Sequence, residues 1–316
     1  MDTISAYLDG IRLQNFEAGL AETRAPWGVK MPGNTWDIVF YFMTGAPSII
    51  RLPVPSQSFR LTNHSVCLIL NSQEHIVQDE GRTPPNYPTE IKRRDTIDKF
   101  RFKTLGNSGG APTSVYYMGL DMGGCGNNPL LTALPSILIT KFDDTPAWLS
   151  TGINWLRDEL LSELPARHAI GTRLGELLLI GAVRAYVMRS RDAVPAWLRP
   201  TNDLKLRRVL SLLHTDIAHE WTLEELARQS GTSRSRLISR ANAELGEGIF
   251  QYLKRWRMYE ASRLLRETSF DVSRVARLVG YQSEAAFATA FGRTVGVSPR
   301  DYRRQVKTTN GSTAEG

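Results

Sequence analysis

Arg234, Arg236 and Arg240 stand beside Ser235, Ser239 and Asn242 in "SRSRLISRANAEL" (233–245). Guanidinium groups grip phosphate oxygens or guanine edges, and hydroxyls and amides reach single base edges. With Leu237 turned inward and roughly 100° per residue, Ala241 falls beside it. Ser235, Ser239 and Asn242 then face outward, and the three arginines flank them. A second stretch, "SEAAFATAFGRTV" (283–295), places Phe287 and Phe291 inward. Its outward set is Ala285, Thr289, Gly292 and Arg293, with Glu284 and Ala288 at the side. Methyl groups of this kind suit thymine methyls or a close groove fit. For each arginine the plainer alternative is a solvated surface charge.

Such side chains need elements that hold them out, and the surrounding sequence repeats a device for doing so. In the first copy Ala227 precedes Gly231 by four, and Ser233 follows; in the second Ala276 precedes Gly280 by four, and Ser283 follows one residue later. The small residue lets two helices cross closely. The glycine can take positive φ where the first helix stops, and the serine can cap the next. Helix, tight turn and steeply angled second helix make a helix-turn-helix, whose second helix enters the major groove. Between the copies, 249–269 is long enough for one continuous helix, with Tyr252, Trp256, Tyr259 and Leu264 as candidates to knit two subdomains. A rigid connector would hold the two reading helices about one DNA turn (~34 Å) apart.

Charge agrees with this. The chain of 316 residues has a net charge of +7. Residues 1–200 hold 20 Lys/Arg against 19 Asp/Glu, while 201–316 hold 19 against 13, so the shorter part carries +6 of the +7. That asymmetry points to a polyanionic partner, most simply nucleic acid and, with the helix-turn-helix device, double-stranded DNA; a plain solvated surface is the alternative on charge alone.

The preceding half reads differently. "WDIVFYFM" and "SVCLIL", within 36–77, are apolar, aromatic and β-branched, bounded by turn residues, and predict strands. Residues 79–114 are polar and rich in Pro and Gly, a long excursion, and "VYYMGLDM" is extended again. From about Pro146 to Arg189 the pattern is helical. Trp155, Leu156, Leu160 and Leu164 are expected along one face, followed by a helix apolar nearly all round, buried on its own domain or against another subunit. "RSRDAVPAWLRPTND" (189–203) predicts an inter-domain linker. The domains expected are therefore 1–188, a linker at 189–203, a helical domain at 204–307 and a flexible tail at 308–316. The fold class is α+β in two domains, the first a β-barrel with flanking helices, the second all-α.

Other chemistry finds little support. His64 and His75 are isolated and no His-x-His occurs, so no metal site and no cofactor is expected. No nucleotide or hydrolase fingerprint stands in the chain. Two cysteines make no disulfide framework: Cys67 in an apolar strand predicts core, and Cys125 in "GGCGNN" lacks neighbouring cations that would activate a thiol. The amino terminus lacks a secretory pattern and no stretch is long enough to span a bilayer, which predicts a cytoplasmic protein without a membrane partner. Trp27, Trp36, Phe40, Phe42, His75 and Tyr116 are candidates to line an effector pocket, with core packing as the alternative.

The segments "WTLEELARQSGTSRSRL", "YLKRWRMYEASRLLRETSFDVSRVARLVGYQSEAAF" and "GVSPRDYRR" resemble the AraC/XylS family of bacterial transcription regulators in order, spacing and both turns, over roughly 204–304. The resemblance implies a seven-helix DNA-binding domain, an activator acting near promoters with RNA polymerase, and a homodimer. Its contact positions fall on Arg234, Ser235, Ile238 and Ser239, and on Glu284, Ala285, Ala288 and Thr289. This chain departs from it at Ser239 and Thr289, where an arginine is common, and at Ala241, where an aromatic is common. "LTNHSVCLILNSQEHIV" (61–77) resembles the cupin-like effector domains of such regulators, with His75 at a position often histidine. His64-Ser65 replaces the usual Gly-Asp turn and Leu70 the usual proline. A regulator that is not an enzyme, controlled by a small molecule in the cupin-like half, is the reading implied. The alternative is a metal-dependent cupin enzyme fused to a DNA-binding module.

Overall fold

The computed structural model describes residues 3–8, 11–13, 15–33, 36–53, 56–70, 73–81, 102–106, 109–122, 131, 133–141, 147–162, 164–199 and 201–311. The described residues within 12–123 and 135–189 form one compact unit, and those within 1–11, 124–134 and 190–316 form another.

Among its described residues the first unit has ten strands: β1 (Asn15–Arg24), β2 (Gly28–Met31), β3 (Ile38–Gly45), β4 (Ser48–Leu52), β5 (Gln57–Leu61), β6 (Ser65–Leu70), β7 (His75–Asp79), β8 (Phe102–Gly106), β9 (Pro112–Asp121) and β10 (Ile137–Lys141). They form a six-stranded sheet, β10-β6-β3-β9-β1-β8, and a four-stranded sheet, β2-β7-β4-β5. Pairing is antiparallel except between β1 and β8, where Leu20 lies opposite Phe102. Side chains alternate across each strand, so Val39, Tyr41 and Met43 join Cys67, Ile69, Ile50, Leu52 and Val77 in the core shared by the two sheets. This is the expected β-rich, barrel-like half. The interval 79–114, expected as an excursion, contains β8 and the start of β9; β8 pairs on the outer edge of β1 and β9 lies between β1 and β3, and Leu105 and Val115 supply core side chains from them. Residues 82–101 of that interval lie outside the described residues.

Helices α2 (Ala147–Leu161) and α3 (Arg167–Arg189) pack on one another, with α3 against β1 and β10. The buried face of α2 is Leu149, Ile153 and Leu156, whereas Trp155 and Leu164, expected on that face, are exposed. Trp155 is one position from Leu156 and therefore turns about 100° away, and Leu164 lies past the helix end. Leu160 is outside the residues whose side chains are described. Helix α3 buries Leu178, Leu179, Ala182 and Val183 within this unit.

Seven helices follow among the described residues of the second unit: α4 (Leu204–Thr215), α5 (Leu223–Ser230), α6 (Arg234–Leu245), α7 (Ile249–Glu267), α8 (Val272–Leu278), α9 (Glu284–Val295) and α10 (Pro299–Gly311). The seven expected helices are present, and α10 runs past residue 308 to Gly311. Residues 190–199 are not free chain: they form short 3-10 turns at 191–193 and 196–198 that bury Val194, Trp197 and Leu198. Helix α1 (Thr3–Leu8) also belongs by its packing to this unit. Tyr7 is fully buried among Trp197, Trp256 and Tyr259, with ring centroids 5.3, 5.0 and 4.7 Å away. The Tyr259 hydroxyl donates to the Tyr7 carbonyl at 2.7 Å. Two of the aromatic residues expected to knit subdomains, Trp256 and Tyr259, thus also pack on α1, while the Trp256 ring lies 4.6 Å from that of His214 in α4; burial pushes the Tyr7 phenol up to about 12.

Candidate nucleic-acid interface

The repeat is reproduced down to its hydrogen bonds. Helix α5 ends at Gly231, with φ 65°, and α8 is followed by Gly280, with φ 82°. The Thr232 amide donates to the Ala227 carbonyl at 3.0 Å, and the Tyr281 amide donates to the Ala276 carbonyl at 2.9 Å. Each closes a carbonyl that a helix end leaves open, as in a Schellman turn. Ser233 Oγ then accepts from the Arg236 amide at 3.4 Å, and Ser283 Oγ accepts from the Ala286 amide at 3.2 Å. The second helix of each motif is capped as the sequence predicts. Thr222 and Asp271 cap the preceding helices in the same way.

Packing fixes which face α6 and α9 each show. On α6, Leu237, Ala241 and Leu245 are buried; on α9, Phe287, Phe291 and Val295 are. The remaining α6 face exposes Arg234, Ser235, Arg236, Ile238, Ser239 and Asn242, and α9 exposes Ala285, Thr289 and Arg293, with Glu284 and Ala288 half-buried. Several of these groups already have protein partners. Arg234 pairs with Glu224, and Arg300 Nη2 donates to Glu284 Oε1 at 3.0 Å. Thr289 Oγ1 donates to the Ala285 carbonyl at 3.0 Å, which leaves its methyl as the outward group. Arg240 is turned back to Asp203, the cap of α4. Burial raises the Asp203 carboxyl, but the Leu206 amide and the Arg240 guanidinium outweigh it and hold it below its ordinary range. Of the three arginines, Arg236 projects from the first turn without such an ion pair among the described residues, whereas Arg240 braces the domain.

One group setting this geometry carries no local sequence signal. Arg257, mid-way along α7, donates through Nε to the Ile217 carbonyl at 2.9 Å, through Nη2 to the His219 carbonyl at 2.9 Å and through Nη1 to the Gly280 carbonyl at 3.3 Å. It thereby joins the loop ahead of the first helix-turn-helix to the turn of the second. The extra residue of the second turn adds to the same seam: Gln282 Nε2 donates to Glu220 Oε1 at 2.8 Å. An arginine within "KRWRMYE" looks like any other helix-surface charge, because its carbonyl partners are 40, 38 and 23 positions away.

The effector candidates do not meet in one pocket. Trp27 and Trp36 lie in the inter-sheet core. His75 joins them through Tyr41, whose hydroxyl lies 2.7 Å from Nε2, while Nδ1 lies 2.7 Å from the Gln73 carbonyl. Burial lowers His75 to about 4, so it is neutral at pH 7, with Nδ1–H donating to Gln73 and Nε2 accepting from Tyr41. Both ring nitrogens are thus engaged by protein. Phe40, Phe42 and Tyr116 point to the opposite face of the six-stranded sheet, because they alternate with Tyr41 and Tyr117. There Phe42 stacks on His64, and Phe42, His64 and Tyr116 line an open cleft. The two histidines are therefore on opposite faces of one sheet, and no group of three His, Cys, Asp or Glu that could hold a metal occurs among the described residues. Cys67 is buried, which pushes its thiol up, and Cys125 lies outside the described residues. No helix among the described residues is long and apolar enough to cross a membrane.

Comparison with known proteins bears on both units. A cupin family model matches residues 2–188, and a helix-turn-helix domain model matches residues 226–305. A Streptomyces antibioticus protein described as an AraC-like transcription regulator is 37% identical over 179 residues, which cover 55% of this chain and 58% of that one. The chain thus spans little more than half the length of this relative and of a similar protein from Streptomyces lividans. The HTH-type transcriptional regulator AlkR of Acinetobacter baylyi is 27% identical over 314 residues, 96% of this chain and 100% of that one. A solved DNA-binding transcriptional dual regulator from Escherichia coli K-12 is 29% identical and covers 35% of this chain and 98% of its own, with a TM-score of 0.33.

Proposed function

The chain belongs to the AraC-type family, with a cupin domain at residues 2–188 ahead of a helix-turn-helix domain at 226–305, and from this premise we propose that it is a sequence-specific DNA-binding transcription regulator governed by a small molecule. The observation that carries the reading is the twice-built turn and cap, which presents α6 and α9 with their polar or methyl-bearing faces outward. Arg236, Ser235, Ser239 and Asn242 contact DNA from α6, with Ile238 and Arg234 at its edge; Ala285, Ala288 and Thr289 contact it from α9, flanked by Glu284 and Arg293. The α6 contacts supply more of the electrostatic affinity and the α9 contacts more of the groove fit. In the family manner the protein acts as an activator near promoters, together with RNA polymerase, and as a homodimer. Exposed Trp155, Leu161, Ile170, Leu177 and Met188 on α2 and α3 support an interface between copies.

Mapping the genomic fragments bound by the full chain, followed by footprinting, tests this. The expected result is a small set of fragments, each protected in two segments about one DNA turn (~34 Å) apart. Ser235→Trp or Ser239→Trp should abolish protection at particular bases, and Arg236→Ala should weaken binding to all sequences. Absence of any enriched fragment would overturn the reading.

A further inference from the structure

Three residues of α2, Ser150, Asn154 and Arg157, are spaced i, i+4 and i+7 and share one face of the helix. That face lies beside the outer surface of β3 and β9, and between them is the cleft noted above, with a volume of about 430 Å³. It lies wholly within the sheet-and-helix unit. Pockets that hold small organic ligands have volumes of roughly 300–1,000 Å³.

Its lining has two chemistries. Phe42 and Tyr116 have ring centroids 5.5 Å apart at 34°, and His64 stacks on Phe42 at 6.4 Å and 19°. His64 takes a φ of 59°, a left-handed conformation that a non-glycine residue adopts only when its turn requires it. The result is an aromatic surface sized for another flat ring, which such rings meet by offset or edge contact. The rim is polar, and Arg157 carries its full positive charge. Arg157 Nε and Nη2 both donate to one oxygen of Asp158, at 3.0 and 2.9 Å, and burial raises the Tyr116 phenol against the opposing charge of the same guanidinium. Asp158 is exposed and does not line the cleft. An exposed pair of this kind contributes little by itself, and a ligand carboxylate can engage the planar fork with two oxygens where Asp158 offers one.

We propose that this cleft is a ligand site for a monoanionic aromatic acid, its ring over Phe42 and Tyr116 and its carboxylate on Arg157. Asn154, Ser150 and Thr44 meet polar ring substituents. The site is separate from the barrel interior, which Trp27, Trp36, Tyr41 and His75 occupy. It rests on the reading of this domain as the effector half and names the class of effector.

Calorimetric titration of the full chain with indole-3-acetate, and with its neutral counterpart indole-3-ethanol, tests the site. The acid should bind at least ~10-fold more tightly than the alcohol, a difference expected of a charge-assisted pair. Arg157→Gln should remove that advantage, bringing the affinity for the acid down to that for the alcohol. Asp158→Asn should tighten acid binding several-fold, an outcome that misfolding cannot produce. Ser150→Trp should fill the cleft and abolish both. Absence of acid binding, equal binding of acid and alcohol, or acid binding indifferent to all three variants would overturn the proposal. DNA retention by the same preparations separates the two readings: acid binding without DNA retention defeats the regulatory function, and DNA retention without acid binding defeats this site.

Discussion

Arg257 illustrates how much one side chain decides in this protein. Three carbonyls from two segments converge on a half-buried guanidinium whose charge burial disfavours. Hydrogen bonds to a charged group are each worth more than neutral ones, and removing the donor leaves the acceptors unsatisfied. Arg257→Gln should therefore destabilise the helical unit by about 3 kcal/mol, measured by urea unfolding, and weaken DNA binding although Arg257 faces no reading surface. A change in stability below about 0.5 kcal/mol would show that the seam is held elsewhere. His75 makes a second prediction at this scale. Its pKa is about 4 when folded against an ordinary 6.5, so the unfolded chain takes up the proton first as pH falls. Stability is full above about 6.5 and is lost progressively down to about 4, by at most about 3 kcal/mol. His75→Gln should flatten the pH dependence of the unfolding midpoint over that window; an unchanged slope would mean that other groups cause it.

At the scale of elements, the two helix-turn-helix motifs share a plan and differ in tolerance. Gly231 and Gly280 both adopt positive φ, which costs a residue bearing Cβ roughly 1–2 kcal/mol. A Cβ at Gly231 meets only the flexible end of Lys205 at 3.0 Å, whereas at Gly280 it meets the Arg257 guanidinium at 2.6 Å and the Ala218 carbonyl at 2.8 Å. Gly280→Ala should lower the melting temperature clearly more than Gly231→Ala; equal shifts would indicate that backbone conformation alone matters. The turns and caps of these elements were legible in the sequence because their hydrogen bonds span five residues or fewer, and the inward positions because they recur at the helical period. The 189–203 segment was not. Its prolines and mixed charges read as linker, but Trp197 finds a hydrophobic socket and the Arg255 guanidinium lies 3.8 Å over its ring. Likewise β8 is a strand because β1 offers it a parallel edge far away in sequence.

Across the whole molecule, the basic excess of residues 201–316 makes salt the most informative variable. The logarithm of DNA affinity should fall linearly with the logarithm of salt concentration, and Arg236→Ala should reduce that slope by about one, as for one phosphate contact. Arg240→Ala should reduce stability rather than the slope, because Asp203 already holds that guanidinium; a slope change equal to that of Arg236→Ala would place Arg240 on DNA. The sequence by itself determined the class of the protein: local patterns of period 2 and 3.6, glycine and serine at helix ends, and the charge imbalance are properties of short segments or of composition. The tertiary structure decided that Arg234 and Arg240 pair with Glu224 and Asp203 while no such pair holds Arg236 among the described residues, which aromatic residues fill the barrel and which line the outer cleft, and that Arg257 joins the two motifs. Those outcomes depend on the face a strand residue takes and on partners tens of residues distant, and only the packed chain brings such groups within bonding distance.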